Sequence, residues 1–322
     1  MRNIQYTQSP GVPHGSMEDE FLCHKRSPEW WYATGYMTDE AGKMFSYQFT
    51  LGKIRVYWLK LNLLQTAITE FETGKHHFAQ QVIFFDKNII VTKNRVGVDG
   101  AAEMTFEDGK LGLDMPGTDY HLTLKMNAVK PAVWHCDQGV LKMGIDNEWT
   151  YYWSYTNLAI SGTLILEGRE HKLSGKGWFD KQGGPYNPLD HRTSWEWFSL
   201  RFFDNEEAML FSFPQDDYQD GTLIERSGNS RRLNNYQIVP LGWTEAGGYK
   251  FSCGWKVEMP GIKDQEYTIV PKIDGQLNLF YFELLADIKD KTGKVVGHCF
   301  VELLPGARNK KTPISAAFAR TK

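Results

Sequence analysis

The segment Ser27-Pro28-Glu29-Trp30-Trp31-Tyr32 sets a carboxylate directly before three large aromatics. On a strand Glu29 and Trp31 share one face, with Trp30 and Tyr32 on the other, so a carboxylate stands beside an indole. If that face lines a cavity, Glu29 is a desolvated acid with a raised pKa, suited to donating a proton. The plainer reading makes Glu29 a cap for backbone amides at a strand start, while the tryptophans fill the core. A second cluster puts Tyr151, Trp153 and Tyr155 on one face, an aromatic wall with two hydroxyls. In a third, Gly175 to Gly184, the side chains of Trp178, Asp180 and Gln182 share a face between glycines, where backbone can approach closely or bulge. The fourth, Ser194-Trp195-Glu196-Trp197-Phe198, has two tryptophans on one face and a carboxylate on the other. Apolar pockets with a few convergent polar groups are how small-molecule sites are built. Aromatic faces stabilise positive charge, so the chemistry these clusters suit is proton transfer to an apolar molecule.

Other chemistries lack their motifs. The sequence holds no GxGxxG, GxxxxGK[ST], GxSxG or HExxH, which removes the usual nucleotide, α/β-hydrolase and zinc-protease signatures. His76-His77 and His135-Cys136-Asp137 have no second pair at ligand spacing, and no metal is expected. Asp216 to Gly221 resembles a fragment of a calcium loop without its distal Glu, and reads as a solvated acidic turn.

The elements that must hold these clusters are strands. Runs rich in Val, Ile, Tyr, Phe, Trp and Thr recur between turn signals such as Asp99-Gly100, Asp108-Gly109, Glu167-Gly168, Gly247-Gly248 and Thr292-Gly293, a spacing that suits antiparallel sandwiches or barrels. Val56 to Thr69, the best helical candidate, carries aromatics and β-branched residues without clear caps and is read as a long strand. Residues 1–17, polar and rich in Pro, Gly and Ser, form an N-terminal arm on the surface or poorly ordered. The densest interior turn cluster, Gln182 to Thr193, marks a boundary between domains at 18–184 and 185–322. The basic run Arg308 to Lys311 reads as a solvated terminus.

The whole chain agrees with a large β-protein. Its 322 residues are 41% hydrophobic and 14% aromatic, with 11 Trp, 15 Tyr and 19 Phe, more aromatic surface than core filling usually needs. Thirty-six basic against 39 acidic residues give a net charge of −3, so no global field favours nucleic acid or an anionic membrane. No apolar run approaches the roughly 18 residues of a membrane span, and the N-terminus lacks a signal-peptide core, so a cytoplasmic location is expected. Cys23, Cys136, Cys253 and Cys299 are widely separated and read as reduced thiols.

At these clusters the chain resembles the AttH and carotenoid 1,2-hydratase family of lipocalin-like proteins. The resemblance is carried by SPEWWYATGYM (Ser27 to Met37), YQFTL (Tyr47 to Leu51), YYWSYTNLAISGTL (Tyr151 to Leu164), GKGWFDKQGG (Gly175 to Gly184), SWEWFSLRF (Ser194 to Phe202) and DQEYTIVP (Asp264 to Pro271). It implies an all-β protein of two consecutive lipocalin-like antiparallel β-barrel or sandwich domains, with a hydrophobic pocket at or near their interface. The family includes hydratases of isoprenoid double bonds, fungal decalin-forming Diels–Alderases and exported proteins of unknown chemistry. Its carotenoid hydratases carry His-x-Trp and Tyr-x-Asp where this chain has Tyr151-x-Trp153 and Trp178-x-Asp180. A histidine proton relay therefore does not carry over, while Trp153 and Asp180 are retained. Where relatives show Tyr-Trp-Glu-Gly, this chain has Tyr281-Phe282-Glu283-Leu284, keeping the acid and losing the glycine.

The resemblance and the clusters together give an expected function: a cofactor-independent enzyme acting on a terpenoid or polyene by acid-initiated hydration or cyclisation. Asp180 would protonate the double bond with Glu29 as second acid, and Tyr155 and Gln182 would position water or a carbonyl. Trp31, Tyr151, Trp153, Trp178, Trp195, Trp197 and Glu283 would line the substrate site. Two alternatives stand beside it: a pericyclase that merely folds a polyene chain, and a carrier of lipid or pigment without chemistry. The expected partner is a small hydrophobic molecule, with no nucleic acid, membrane span or cofactor.

Overall fold

The computed structural model describes residues 3–8, 15–56, 59–143, 148–187, 194–214, 216–262 and 265–305. Tyr57, Trp58, the end of the Gln182 to Thr193 turn cluster, Asp264 and the basic run Arg308 to Lys311 lie outside the described residues. Apart from a four-residue helix, α1 (Met17–Glu20), capped by the Ser16 hydroxyl accepting from Asp19 N, the regular elements are strands. The described residues fall into two compact units. One holds the chain up to Trp134 together with the segment beginning at Trp149 and ending before Ser194; the other holds the segment from His135 to Glu148 and the chain from Ser194 onward.

In chain order the strands of the first part are β1 (Glu29–Asp39), β2 (Met44–Val56), β3 (Leu59–Glu70), β4 (Lys75–Phe84), β5 (Ile89–Thr92), β6 (Arg95–Val98), β7 (Glu103–Glu107), β8 (Lys110–Pro116), β9 (Tyr120–Ala128), β10 (Val133–Trp134), β11 (Val140–Lys142), β12 (Trp149–Leu166) and β13 (Arg169–Gly183). In the N-terminal unit the antiparallel sheet runs β4-β3-β2-β1-β13-β12-β9-β8-β7-β6-β5. The segment expected to be strand rather than helix, from Leu59 on, is β3. Sequence sets this order locally: Asp108-Gly109 and Glu167-Gly168 both take positive φ, 47° and 73° then 50° and 79°, as two-residue hairpins with right-handed twist require. β9 alternates cleanly, with Tyr120, Leu122, Leu124 and Met126 buried and His121, Thr123, Lys125 and Asn127 exposed, so one face meets the core and the other meets solvent.

The C-terminal unit repeats the plan. It comprises β14 (Trp195–Phe202), β15 (Glu207–Phe213), β16 (Tyr218–Ile224), β17 (Ser230–Leu233), β18 (Gln237–Ala246), β19 (Tyr249–Glu258), β20 (Glu266–Pro271), β21 (Leu277–Asn278), β22 (Tyr281–Lys289) and β23 (Val295–Leu304). Its order is β17-β16-β15-β14-β23-β22-β20-β19-β18. In both units the first strand pairs with the last, β1 with β13 and β14 with β23, which curls an up-and-down meander around its own apolar cluster. The fold is all-β, two lipocalin-like units in one chain.

Asp220 corrects one sequence expectation. It is fully buried on β16, where Arg232 grips it through Nε at 3.0 Å and Nη2 at 2.7 Å and the Tyr218 hydroxyl adds a bond at 3.0 Å. From Tyr218 on the segment is therefore a strand with an ion-paired Asp220, while Asp216 and Asp217 form the exposed acidic turn that the sequence suggests.

Candidate functional site

Strand register sorts the expected site residues. Directly opposed residues in antiparallel strands project to the same face. Along β1, β13 and β12 one set of rows is Trp31, Lys181 and Trp153, then Ala33, Phe179 and Tyr155. Trp31, Ala33, Trp153 and Phe179 belong to the apolar cluster of the N-terminal unit, so this face points inward. The alternate rows, Trp30, Gln182 and Tyr152, then Tyr32, Asp180 and Ser154, point to the opposite face. Asp180 and the Trp153–Tyr155 wall, expected to act together, thus stand on opposite faces of one sheet.

On the inner face Glu29 sits in a buried charge cluster. Its Oε2 receives Lys181 Nζ at 2.8 Å and His24 Nδ1 at 2.9 Å, and its Oε1 receives the His24 backbone N–H at 3.0 Å and the Lys53 ammonium. The Lys181 ammonium also lies 4.5 Å from the centre of the Trp31 ring, whose Nε1 donates to Phe21 O at 2.9 Å. Burial alone would push the Glu29 carboxyl up, but Lys181, Lys53 and His24 outweigh it and hold the group well below the usual range. The raised-pKa reading of Glu29 is therefore overturned. Glu29 is a fixed anion that takes a backbone amide and two ammonium groups, while Trp31 fills the core beside it.

Further along this face Trp153 and Tyr155 line an open cavity of about 880 Å³ with Phe21 and Phe106 and with the charged Glu18, Asp108 and Lys110. The walls interlock edge-on: Trp153 and Tyr155 centroids lie 5.8 Å apart, Phe106 and Phe179 4.9 Å, and Phe21 and Phe106 4.4 Å. The Trp153 N–H is buried with no hydrogen-bond partner among the described residues. Burial and the charges of Glu18 and Asp108 raise the Tyr155 phenol. Tyr151 lines a different cleft, with His24, Trp149 and Arg26, and burial pushes its phenol up to about 12.

Asp180 stands on the opposite face, only 3% exposed. Its Oδ1 accepts from Trp178 Nε1 at 2.5 Å and from the Ser154 hydroxyl, both neutral donors. Tyr32, Trp178, Tyr152 and Gln182 on this face are also buried, so the sheet is buried on both sides here. The Gln182 amide donates to the Thr150 hydroxyl at 2.8 Å.

In the C-terminal unit one row reads Phe211, Trp197, Glu302 and Glu283 across β15, β14, β23 and β22. Trp195 Nε1 donates to Glu302 Oε1 at 2.7 Å. Glu196 points to the other side, where the Ser252 hydroxyl bonds it and Trp255 Nε1 donates to that hydroxyl at 3.0 Å. Sequence reading missed Glu302. Its signal was a lone acid in the apolar run Cys299-Phe300-Val301-Glu302-Leu303, on the face opposite Val301 and Leu303. Leu284, standing where relatives have glycine, packs into the core.

Residues 16–306 match the family model described as AttH-like. The chain belongs to the AttH-like family. No match was found among curated protein sequences. Among solved structures, the crystal structure of an AttH protein from Nitrosomonas europaea superposes with a TM-score of 0.81 at 20% identity, covering 93% of this chain and 99% of that one. Kievitone hydratase from Nectria haematococca superposes at 0.72 with 16% identity, covering 94% and 97%. CghA, crystallised with Sch210972, superposes at 0.56 with 9% identity, covering 95% and 97%. At these identities the likeness is one of fold, and it extends over both units of this AttH-like chain. No described helix is long and apolar enough to cross a membrane.

Proposed function

We propose that this AttH-like protein is a cofactor-independent enzyme that adds a proton to a carbon–carbon double bond of a terpenoid or polyene, leading to hydration or cyclisation. The observation that carries this reading is Asp180, a buried carboxyl that accepts from Ser154 and Trp178 on a face that also carries Tyr32 and Tyr152. A proton leaves the Asp180 carboxyl as a C–H bond forms, and the Trp178 ring, with Tyr32 and Tyr152 on the same face, stabilises the carbocation. Water then adds and returns a proton to the carboxylate, or an internal alkene attacks and an adjacent carbon releases it. Glu29 is assigned to structure in this scheme. Similarity in fold to a protein named a hydratase fits the first outcome.

Incubation with a panel of isoprenoids and polyenes in heavy water tests the reading. Wild type is expected to form product carrying one deuterium on carbon, and Asp180→Asn to lose about 10² to 10⁴-fold in rate with unchanged circular dichroism. Full activity in Asp180→Asn removes acid initiation by this residue. The cavity of about 880 Å³ beside Trp153 and Tyr155, which Glu18, Asp108 and Lys110 line together with the aromatic rings, leaves room for a second reading, a carrier; intact ligand extracted from purified protein, with no turnover of the panel, selects it.

A further inference from the structure

Glu283 and Glu302 face each other directly across β22 and β23, which brings their carboxyl groups within hydrogen-bonding reach. Two carboxylates offer only acceptors, so a bond between them requires a proton on one. Trp195 Nε1 donates to the same carboxyl of Glu302 at 2.7 Å, and the neighbouring groups in the row, Trp197 and Phe211, carry no charge. The next row of this face, Met209, Ser199, Phe300 and Leu285, is also uncharged. Across the sheet the pair's own row continues past Phe211 to Asp220 on β16, which Arg232 holds. Along the strands ionisable groups return at Glu207, Arg201, His298 and Asp287, about 13 Å away at the backbone, with the Arg201 guanidinium reaching back to the Ser199 hydroxyl at 3.2 Å. Arg201 lies over the Phe300 ring at 5.3 Å, and His298 Nδ1 bonds Asp287 at 2.9 Å. Behind β22, Gln276 takes the Glu283 backbone N–H at 3.1 Å through its own carbonyl.

We propose that Glu283 and Glu302 form a proton-sharing carboxyl pair, a second acid site of this protein that delivers its proton to an unsaturated substrate. The inference rests on the acid-initiated reading above and assigns a further proton donor to it. In the step, the O–H bond of the pair breaks as a C–H bond forms on the alkene, leaving two carboxylates and a carbocation. Repulsion between adjacent carboxylates then drives recapture of a proton from the water that adds, or from the carbon that becomes the new alkene. Burial agrees: it pushes the Glu302 carboxyl up to about 7, although the bonds from Trp195 and Glu283 pull the other way. The pair titrates as a unit.

Infrared difference spectra of the whole protein between pH 5 and 9 test the pair without any substrate. Wild type is expected to show a protonated carboxyl band that fades as pH rises through about 7 and is missing from both Glu302→Gln and Glu283→Gln. Glu196, another raised carboxyl in this unit, keeps its band in both variants. Trp195→Phe removes a bond that favours the ionised form, so its band should persist to higher pH, a readout that survives if the Gln variants fail to fold. A band untouched by all three substitutions overturns the pair. With a turned-over substrate from the panel, Glu302→Gln should lower kcat by at least tenfold and remove the pH limb near 7, whereas Asp180→Asn lowers rate at every pH; unchanged kcat and pH profile in Glu302→Gln overturns the proton donor. Absence of turnover by wild type strikes the proposed function alone and leaves the infrared result standing.

Discussion

Two glutamates in this chain show how neighbours decide what a carboxyl does. Glu29 is held ionised by Lys181 and Lys53, so Glu29→Gln strands two buried ammonium groups and should cost about 3 to 5 kcal/mol, read as a lower urea midpoint. Because its pKa is depressed in the folded state, its contribution is complete above its ordinary value of 4.5 and is lost as pH falls below that. Acid unfolding of wild type should therefore be steeper than that of Glu29→Gln. Glu302 has the opposite sign. Its raised pKa means the folded state binds the extra proton, so stability declines as pH rises from about 4.5 to about 7, and Glu302→Gln should flatten that decline in urea titrations. The sequence displays EWWY and a WFD segment plainly, but not this contrast. Lys53 is 24 residues from Glu29 and Lys181 is 152 away, so what neutralises the acid is visible only after the strands pair.

At the scale of elements, alternation predicts shared faces but cannot carry parity through a bulge. On β12 the odd residues Tyr151, Trp153 and Tyr155 face inward, yet Leu158, Ile160 and Leu164 do so beyond an irregularity between Tyr155 and Leu158, where three steps on β12 oppose two on β13. One extra residue exchanges the faces of everything that follows. Nothing in Thr156-Asn157 announces that residue, which is why strands were legible and their inward faces were not. Glycines fix a second feature of the same sheet. Gly35 and Gly177 are paired across β1 and β13, and a Cβ added at Gly35 would lie 2.7 Å from Tyr47 Cε1 and 2.6 Å from Lys176 O. The pair forms a notch for the Tyr47 ring, whose hydroxyl meets Met126 Sδ at 3.3 Å. Gly35→Ala should therefore cost about 1 to 3 kcal/mol by overpacking, and Gly35→Ala combined with Tyr47→Ala should cost less than the sum of the two changes in a urea double-mutant cycle.

Across the whole molecule, the aromatic excess is shared by two cores, each closed by pairing its first strand with its last, and this makes the thiols independent reporters of each unit. The four cysteines are free. Cys23 packs in the N-terminal core and Cys299 in the C-terminal core, while Cys253 is half-buried. Only the thiolate attacks an alkylating reagent, and burial raises all four thiols, Cys23 up to about 12, so access decides among them and favours the half-buried Cys253. Native protein at pH 8 should therefore take iodoacetamide at Cys253 first, with Cys23, Cys136 and Cys299 protected, as peptide mass spectrometry would show. Raising urea then exposes Cys23 when the N-terminal core opens and Cys299 when the C-terminal core opens, so pulsed alkylation yields one midpoint for each. Glu29→Gln, whose charge cluster lies within the N-terminal unit, should lower the Cys23 midpoint more than the Cys299 midpoint. Equal displacement of both would show that the two cores open in a single cooperative step.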